Sequence, residues 1–333
     1  MRLMAITRGP DTPSTRFRFR QYLPQLQAAG VDVTERVARY GATAPPGTTL
    51  ERLSWAARTV PHVVGAPLAA RRYDRVLLQK PLLLLRRTLE PALPRGYVFD
   101  IDDALWVVDP RGVDGIARRA GTVLAGNAYL ADHFSTVADR VEVVPTGVDL
   151  TRWRPAPRAE RPTIVWSGGD RQYPDLARLA PALATVLRDR PDARLRIMSD
   201  LPPPADLGLP PAVVEFVRWS PAAEVAALNS AWVGIMPLQD SAWARGKCSY
   251  KMLLYMASAV PAVASPVGMN IEVQAAGPGS VLAGSRDEWI DAVGGLLDDP
   301  QASARFGSAA RATVAAHYDA AVIGRRLATL LLA

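Results

Sequence analysis

The chain is poor in the residues that staple or coordinate a fold. Of its 333 residues one is cysteine, Cys248, and three are histidine, His62, His133 and His317. A lone cysteine excludes an internal disulfide, and three scattered histidines show no metal-ligand spacing. No metal and no other cofactor is therefore expected. Long apolar runs are missing as well: the longest, around Leu82–Leu85, is bounded by Lys80 and by Arg86 and Arg87. That is far short of the roughly 20 residues a membrane-spanning helix needs. Residues Met1–Thr7 pass directly into strand-like sequence, without an apolar core or a small-residue cleavage site, and the expectation is a cytoplasmic protein. Lysine is scarce too, supplying only Lys80, Lys247 and Lys251 of the 39 basic residues.

What is present is enough apolar sequence, 49% of the chain, for roughly two domains at about 100–200 residues each. The net charge of +7 is uneven: residues 1–100 hold 16 Arg or Lys against seven Asp or Glu. Such a field favours phosphates or an anionic membrane surface, so peripheral membrane contact is compatible with it. The basic residues are not interleaved with aromatics, which argues against nucleic acid. Short apolar runs alternate with segments of helical periodicity, the pattern of parallel strands joined by crossover helices. The class is α/β. Strands are expected near 2–7, 31–33, 75–78, 97–100, 122–125 and 141–144, with a helix over 15–29. A proline-bearing stretch, Asp149 to Pro162, reads as a linker. A second cycle follows, with strands near 163–167, 194–198, 213–217, 232–237 and 262–264 and a helical end from Asp287 punctuated by Pro300 and Gly307. Residues 1–155 and 156–315 form the expected domains, with 316–333 a final helix packing back on the first.

Ligands of open parallel sheets bind beyond the carboxyl ends of strands, where helix N-termini offer N–H groups to anions. The segment Ala244-Arg245-Gly246-Lys247-Cys248-Ser249 follows a strand and opens a helix. Gly246 permits close backbone approach, Ser249 can cap the helix, and Arg245 and Lys247 add charge, which together make an anion cradle. In a chain that prefers arginine, Lys247 and Lys251 indicate a compact ammonium at this place; chance survival on a surface helix is the alternative. A second anion site is expected at Ser14, Thr15 and Arg16, where Arg18 and Arg20 read alternatively as solvated helix-face charges. Asp100, Asp102 and Asp103 cluster after another strand, indicating hydroxyl recognition or proton acceptance, or helix capping.

These residues make the chain resemble glycosyltransferase family 4, retaining enzymes of the GT-B fold, in which two Rossmann-like, doubly wound parallel-sheet domains face a cleft. The resemblance is most specific over 244–272 and extends to Val144-Pro-Thr-Gly-Val-Asp149, to Pro13-Ser-Thr-Arg-Phe-Arg18 and to Phe99-Asp-Ile-Asp-Asp-Ala104, which look like a bacterial branch concerned with surface polysaccharides and natural products. It implies a nucleoside-diphosphate sugar as co-substrate, whose diphosphate would meet Lys247, the N–H groups of Cys248 and Ser249, and Ser167, Gly168 and Arg171. Lys251, Gly268, Met269, Asn270 and Glu272 would line the sugar or nucleotide. Asp102 and Asp103 would face the sugar or acceptor, beside an N-domain loop set of Ser14, Thr15, Arg16, Lys80 and Asn127. The implied reaction is metal-independent transfer with retention, assisted by Lys247 and Arg171. Two departures stand out: the family's paired glutamates fall on Gly246 and Leu254, and its N-domain histidine is absent. A GT-B relative with other chemistry (an epimerase or a cyclitol-coupling enzyme) and a non-catalytic nucleotide-sugar binder are the alternatives.

Overall fold

The computed structural model describes residues 1–10, 12–37, 47–83 and 89–333. Leu84, Leu85, Arg86 and Arg87 of the apolar run noted above lie outside them. The chain divides into two compact units: residues 1–147, 245–248 and 320–333 form the first, and 148–244 with 249–319 the second.

The first unit is built on six parallel strands, β1 (Arg2–Thr7), β2 (Asp32–Val37), β3 (Arg75–Gln79), β4 (Val98–Ile101), β5 (Thr122–Ala125) and β6 (Val141–Val143), in the order β2-β1-β3-β4-β5-β6. The helices between them are α1 (Pro13–Arg18), α2 (Leu23–Ala28), α3 (Thr49–Ala70), α4 (Pro110–Ala117) and α5 (Ala128–Ser135). Strands β4 and β5 are buried along their whole length, which is why they read as unbroken apolar runs rather than alternating ones. The helix expected over 15–29 is broken into α1, a 3-10 turn at Arg20–Tyr22 and α2. Phe19 leaves helical geometry at φ −134 and ψ −64, and Pro24 lacks the amide a continuous helix would need. The break lets Phe19, Tyr22 and Leu26 all enter the core with Leu3 and Leu77.

The second unit repeats the plan. Strands β7 (Thr163–Ser167), β8 (Arg194–Ser199), β9 (Val214–Arg218), β10 (Val233–Met236), β11 (Ala262–Ala264) and β12 (Ser280–Leu282) lie parallel in the order β12-β11-β10-β7-β8-β9. Its helices are α6 (Tyr173–Arg188), α7 (Pro221–Asn229), α8 (Ala242–Arg245), α9 (Tyr250–Ala257), α10 (Met269–Ala276), α11 (Arg286–Asp298) and α12 (Pro300–His317). The last helix, α13 (Ala320–Leu332), belongs to the first unit, where Ile323, Leu327 and Leu331 join the cluster around Leu3 and Tyr22.

The structure adds to and corrects these expectations. Strand β12 was not anticipated. Gly307 does not punctuate the helical end; it lies inside α12, where a Cβ would sit 2.0 Å from the Ala259 carbonyl oxygen, so glycine permits close packing there. The stretch expected as a linker is anchored: Trp153 is buried, and Arg311 donates to the carbonyls of Trp153 at 2.5 Å and Leu150 at 3.2 Å. No helix among the described residues is long and apolar enough to cross a membrane.

Candidate functional site

In each sheet the strand order reverses once, between β1 and β3 in the first and between β7 and β10 in the second. Loops at such a point diverge and leave a crevice at the carboxyl edge. The candidate residues sit on those loops and on the loops that follow the neighbouring strands β4, β5 and β11.

In the first unit, Lys80 directly follows β3 and adopts a left-handed backbone, φ 62. This conformation is unfavourable for a side-chain-bearing residue and concentrates at functional positions. Its Nζ lies 2.8 Å from Asp102 Oδ1 and 2.6 Å from Asp103 Oδ2, both just beyond β4. Asp103 reaches Lys247 as well, Oδ1 to Nζ at 3.0 Å. Burial pulls the Lys80 ammonium down, but the two carboxylates outweigh it and hold its pKa above the ordinary value. Burial likewise pushes Asp102 up, yet Lys80 and Arg18 more than offset this and leave it below the carboxylate range. The four side chains form an alternating cation–anion row in which Lys80 and Asp102 hold each other ionised near neutral pH.

The backbone of 245–248 is fixed by Asn127. Its Oδ1 caps α5 by accepting from the Leu130 amide at 2.9 Å, while its Nδ2 donates to the carbonyls of Arg245 at 3.1 Å and Lys247 at 3.0 Å. Gly246 packs so closely that a Cβ would meet the Ala104 Cβ at 2.6 Å and its nitrogen at 2.7 Å. A longer side chain such as glutamate does not fit at this position. Cys248 is buried, its thiol contacts the Asp102 carbonyl at 3.4 Å, and burial raises its pKa; the side chain is a small packed group rather than a nucleophile.

Behind this row, Arg18 makes a buried ion pair with Asp100, Nη2 to Oδ1 at 2.5 Å, and donates to the Val144 carbonyl at 2.9 Å and Thr146 Oγ1 at 3.2 Å. Arg20 pairs with Glu35 at 2.8 Å. Reading either arginine as a solvated helix-face charge is thus overturned. Thr15 donates to Gln79 Oε1 at 2.7 Å, and Gln79 in turn donates to the Ser14 carbonyl at 3.1 Å, tying the loop after β1 to the end of β3. Arg16 is half-buried, its guanidinium 4.8 Å from the centroid of the Phe17 ring.

In the second unit, β7 runs into Gly168, where a Cβ would strike the Trp166 ring at 2.3 Å. The Ser167 amide donates to the Tyr255 hydroxyl at 3.0 Å and that of Gly168 to the Met198 carbonyl at 3.0 Å, so these two amides shape the loop. Arg171 is exposed in the turn before α6. Lys251, in the first turn of α9, donates to Gln172 Oε1 and stands 5.5 Å above the Trp166 ring.

Ser249 does not cap α9. It takes a left-handed conformation, φ 46, and its hydroxyl donates to Asn270 Oδ1 at 2.7 Å, while Asn270 Nδ2 donates to the Ser265 carbonyl at 2.9 Å. Asn270 and Met269 are buried, so they hold the loop after β11 in shape. Gly268, at φ 53, ends that loop and is half-buried, as is Glu272 in the first turn of α10. Tyr255 and Gln172 escaped the sequence reading; Tyr255 sits in an apolar helix stretch, where a hydroxyl gives no periodic signal. Among the described residues no group of three or more His, Cys, Asp or Glu could hold a metal ion.

Residues 161–299 match the family described as Glycosyl transferases group 1. A D-inositol 3-phosphate glycosyltransferase of Nocardia farcinica is 27% identical over 226 residues, covering 59% of this chain and 49% of its own length. The chain spans about half the length of the curated relatives it matches. Among solved structures, sucrose-phosphate synthase from Thermosynechococcus elongatus superposes with a TM-score of 0.72 at 16% identity, covering 99% of this chain and 98% of that one. Anabaena HepE in complex with UDP and glucose gives 0.71 at 16% identity, over 100% and 99% of the two chains. The chain therefore has the GT-B fold of two Rossmann-like parallel sheets, and its residues 161–299 carry the similarity to the group 1 glycosyl transferases.

Proposed function

We propose that the protein is a glycosyltransferase that moves a sugar from a nucleoside diphosphate to a hydroxyl or amine acceptor, with retention and without a metal ion, in cell-surface glycan or natural-product assembly. The observation that carries this reading is the pair of loops at the β7/β10 reversal, which bring Ser167, Gly168 and Arg171 to one strand end and lead from the other into the first turn of α9 with Lys251. Basic residues at helix starts suit a diphosphate. The similarity of residues 161–299 to group 1 enzymes supports the same assignment, and the UDP complex of HepE makes UDP the first diphosphate to try.

In the proposed reaction the bond between the sugar C1 and the diphosphate oxygen breaks, and the diphosphate leaves with the electron pair. The acceptor oxygen or nitrogen bonds to C1 on the face just vacated, and its proton passes to the departing phosphate oxygen. Lys247 and Arg171 stabilise the charge that develops on the diphosphate. Asp102, kept ionised by Lys80, and Asp103 orient sugar or acceptor hydroxyls. Leu254, buried where the family has a glutamate, cannot bind a ribose hydroxyl, so ribose recognition falls to other groups. This same departure favours the one competing reading, a nucleotide-sugar binder without turnover.

A thermal-shift panel with UDP, GDP, ADP, CDP and dTDP tests the assignment, since a ligand at about 100 times its Kd stabilises by roughly 2.7 kcal/mol. One stabilising diphosphate whose shift disappears in Lys247→Ala supports it; no response to any of them refutes donor binding. Anomeric analysis of product by NMR then separates transfer with retention from epimerisation and from binding alone.

A further inference from the structure

The four most exposed large hydrophobic side chains among the described residues all lie on α3: Leu50 is 76% exposed, Leu53 and Leu68 62%, and Val60 55%, with Val64 at 47% on the same helix. At 100° per residue these five project within about 80° of one another. Ala57 continues the row. The stripe is separate from the face that α3 buries, which is made by Thr59, Val63, Ala66, Pro67 and Ala70.

The charge around the stripe is predominantly positive. Arg52, Arg58, Arg71 and Arg72 are exposed on α3 or at its end. The acids nearby are already engaged: Glu51 closes the capping box, accepting from the Thr48 amide at 2.6 Å and its hydroxyl at 3.1 Å, and Asp74 accepts from the Arg2 amide at 2.7 Å. An aliphatic stripe fringed by arginine, on a helix that cannot span a bilayer, has the chemistry of an in-plane interfacial helix. A protein partner would more commonly be met by aromatic or methionine anchors at the centre of the patch.

We propose that α3 seats the first unit on an anionic lipid surface, with Leu50, Leu53, Val60, Val64 and Leu68 entering the acyl boundary and Arg52, Arg58, Arg71 and Arg72 meeting lipid phosphates. The proposal turns the general basicity of residues 1–100 into one named element, and it holds or fails independently of the donor reading.

The test is co-sedimentation of the full chain with vesicles of mixed phosphatidylglycerol and phosphatidylcholine, and with vesicles of phosphatidylcholine alone. The expected result is binding to the anionic vesicles that falls with salt. The charge reversals Arg52→Glu with Arg58→Glu should weaken it at least tenfold, at about 1 kcal/mol per surface basic residue, and Leu53→Gln with Val60→Gln and Val64→Gln should weaken it comparably. Because the altered side chains are exposed, both variants should keep the wild-type melting curve and nucleotide response; should the triple variant not fold, Leu53→Gln alone takes its place. Equal binding to neutral vesicles, or undiminished binding by the variants, overturns the proposal. So does a dimer in light scattering that the Gln variants dissociate, because a second copy would then cover the stripe.

Discussion

Lys247 Nζ lies 3.0 Å from Asp103 Oδ1, and Asp103 is shared with Lys80 at 2.6 Å. The lysine proposed to meet the donor diphosphate is thus already matched to a carboxylate, and an incoming phosphate has to compete with it. Asp103→Asn should tighten binding of UDP, or of whichever diphosphate responds, by two- to fivefold, the worth of a partly exposed pair at about 0.5–1 kcal/mol. Lys247→Ala should weaken it, and the double variant should resemble Lys247→Ala alone. Isothermal titration of the four proteins decides; weaker binding by Asp103→Asn would remove the competition argument.

Gly246 has no room for a side chain against Ala104. Gly246→Ala should lower stability by about 1–3 kcal/mol, as overpacking does, and Ala104→Gly added to it should restore part of the loss. Gly246→Glu should reduce diphosphate affinity rather than raise it. Chemical denaturation and the same titrations report both effects, and a neutral Gly246→Ala would mean that the segment yields easily.

The Arg18–Asp100 pair is buried, with Arg18 also serving the Val144 carbonyl and Thr146. Removing one partner strands a charge, so Arg18→Leu or Asp100→Leu should each cost about 3–5 kcal/mol in urea unfolding. Changing both should cost less than the sum of the two. Additive losses would show that the pair is not a coupled unit.

His62 on α3 is held down to a pKa of about 4 by burial, with Arg36 and Arg8 adding to it. An unfolded imidazole titrates near 6.5. Between about pH 6.5 and about 4 the unfolded chain therefore binds a proton that the folded chain refuses, and stability falls as pH falls. Since the ring is partly exposed, the effect should be about 1–2 kcal/mol rather than the full linkage value. His62→Gln should flatten the difference in urea midpoint between pH 7 and pH 4.5, and an unchanged pH slope would show that the ring titrates normally.

Much of this architecture is written locally. Thr163–Ser167 and Thr122–Ala125 are buried on both faces and stand out as apolar runs. Strand β12 is only three residues long and pairs with β11 alone, so no local pattern separates it from a loop. The break at Phe19 depends on which side chains the core accepts, which periodicity over 15–29 cannot foresee. For the candidate site, the residue types after each strand were legible, while their pairings were not. Arg18 meets Asp100 across 82 positions and Lys247 meets Asp103 across 144. Ser249 looked like a cap because its type and place fit one; its left-handed backbone sends the hydroxyl to Asn270 instead.

The first unit is assembled from three separate stretches of chain, the last of them α13, whose Ile323, Leu327 and Leu331 complete the cluster around Leu3, Phe19 and Tyr22. On a ribosome adding about 5–20 residues per second, Leu3 is made well before its α13 partners exist, and the second unit's residues emerge in between. The order of synthesis and the order of completion are therefore reversed: the half begun first closes last. Until then its open flank is a natural point of engagement for chaperones during biogenesis.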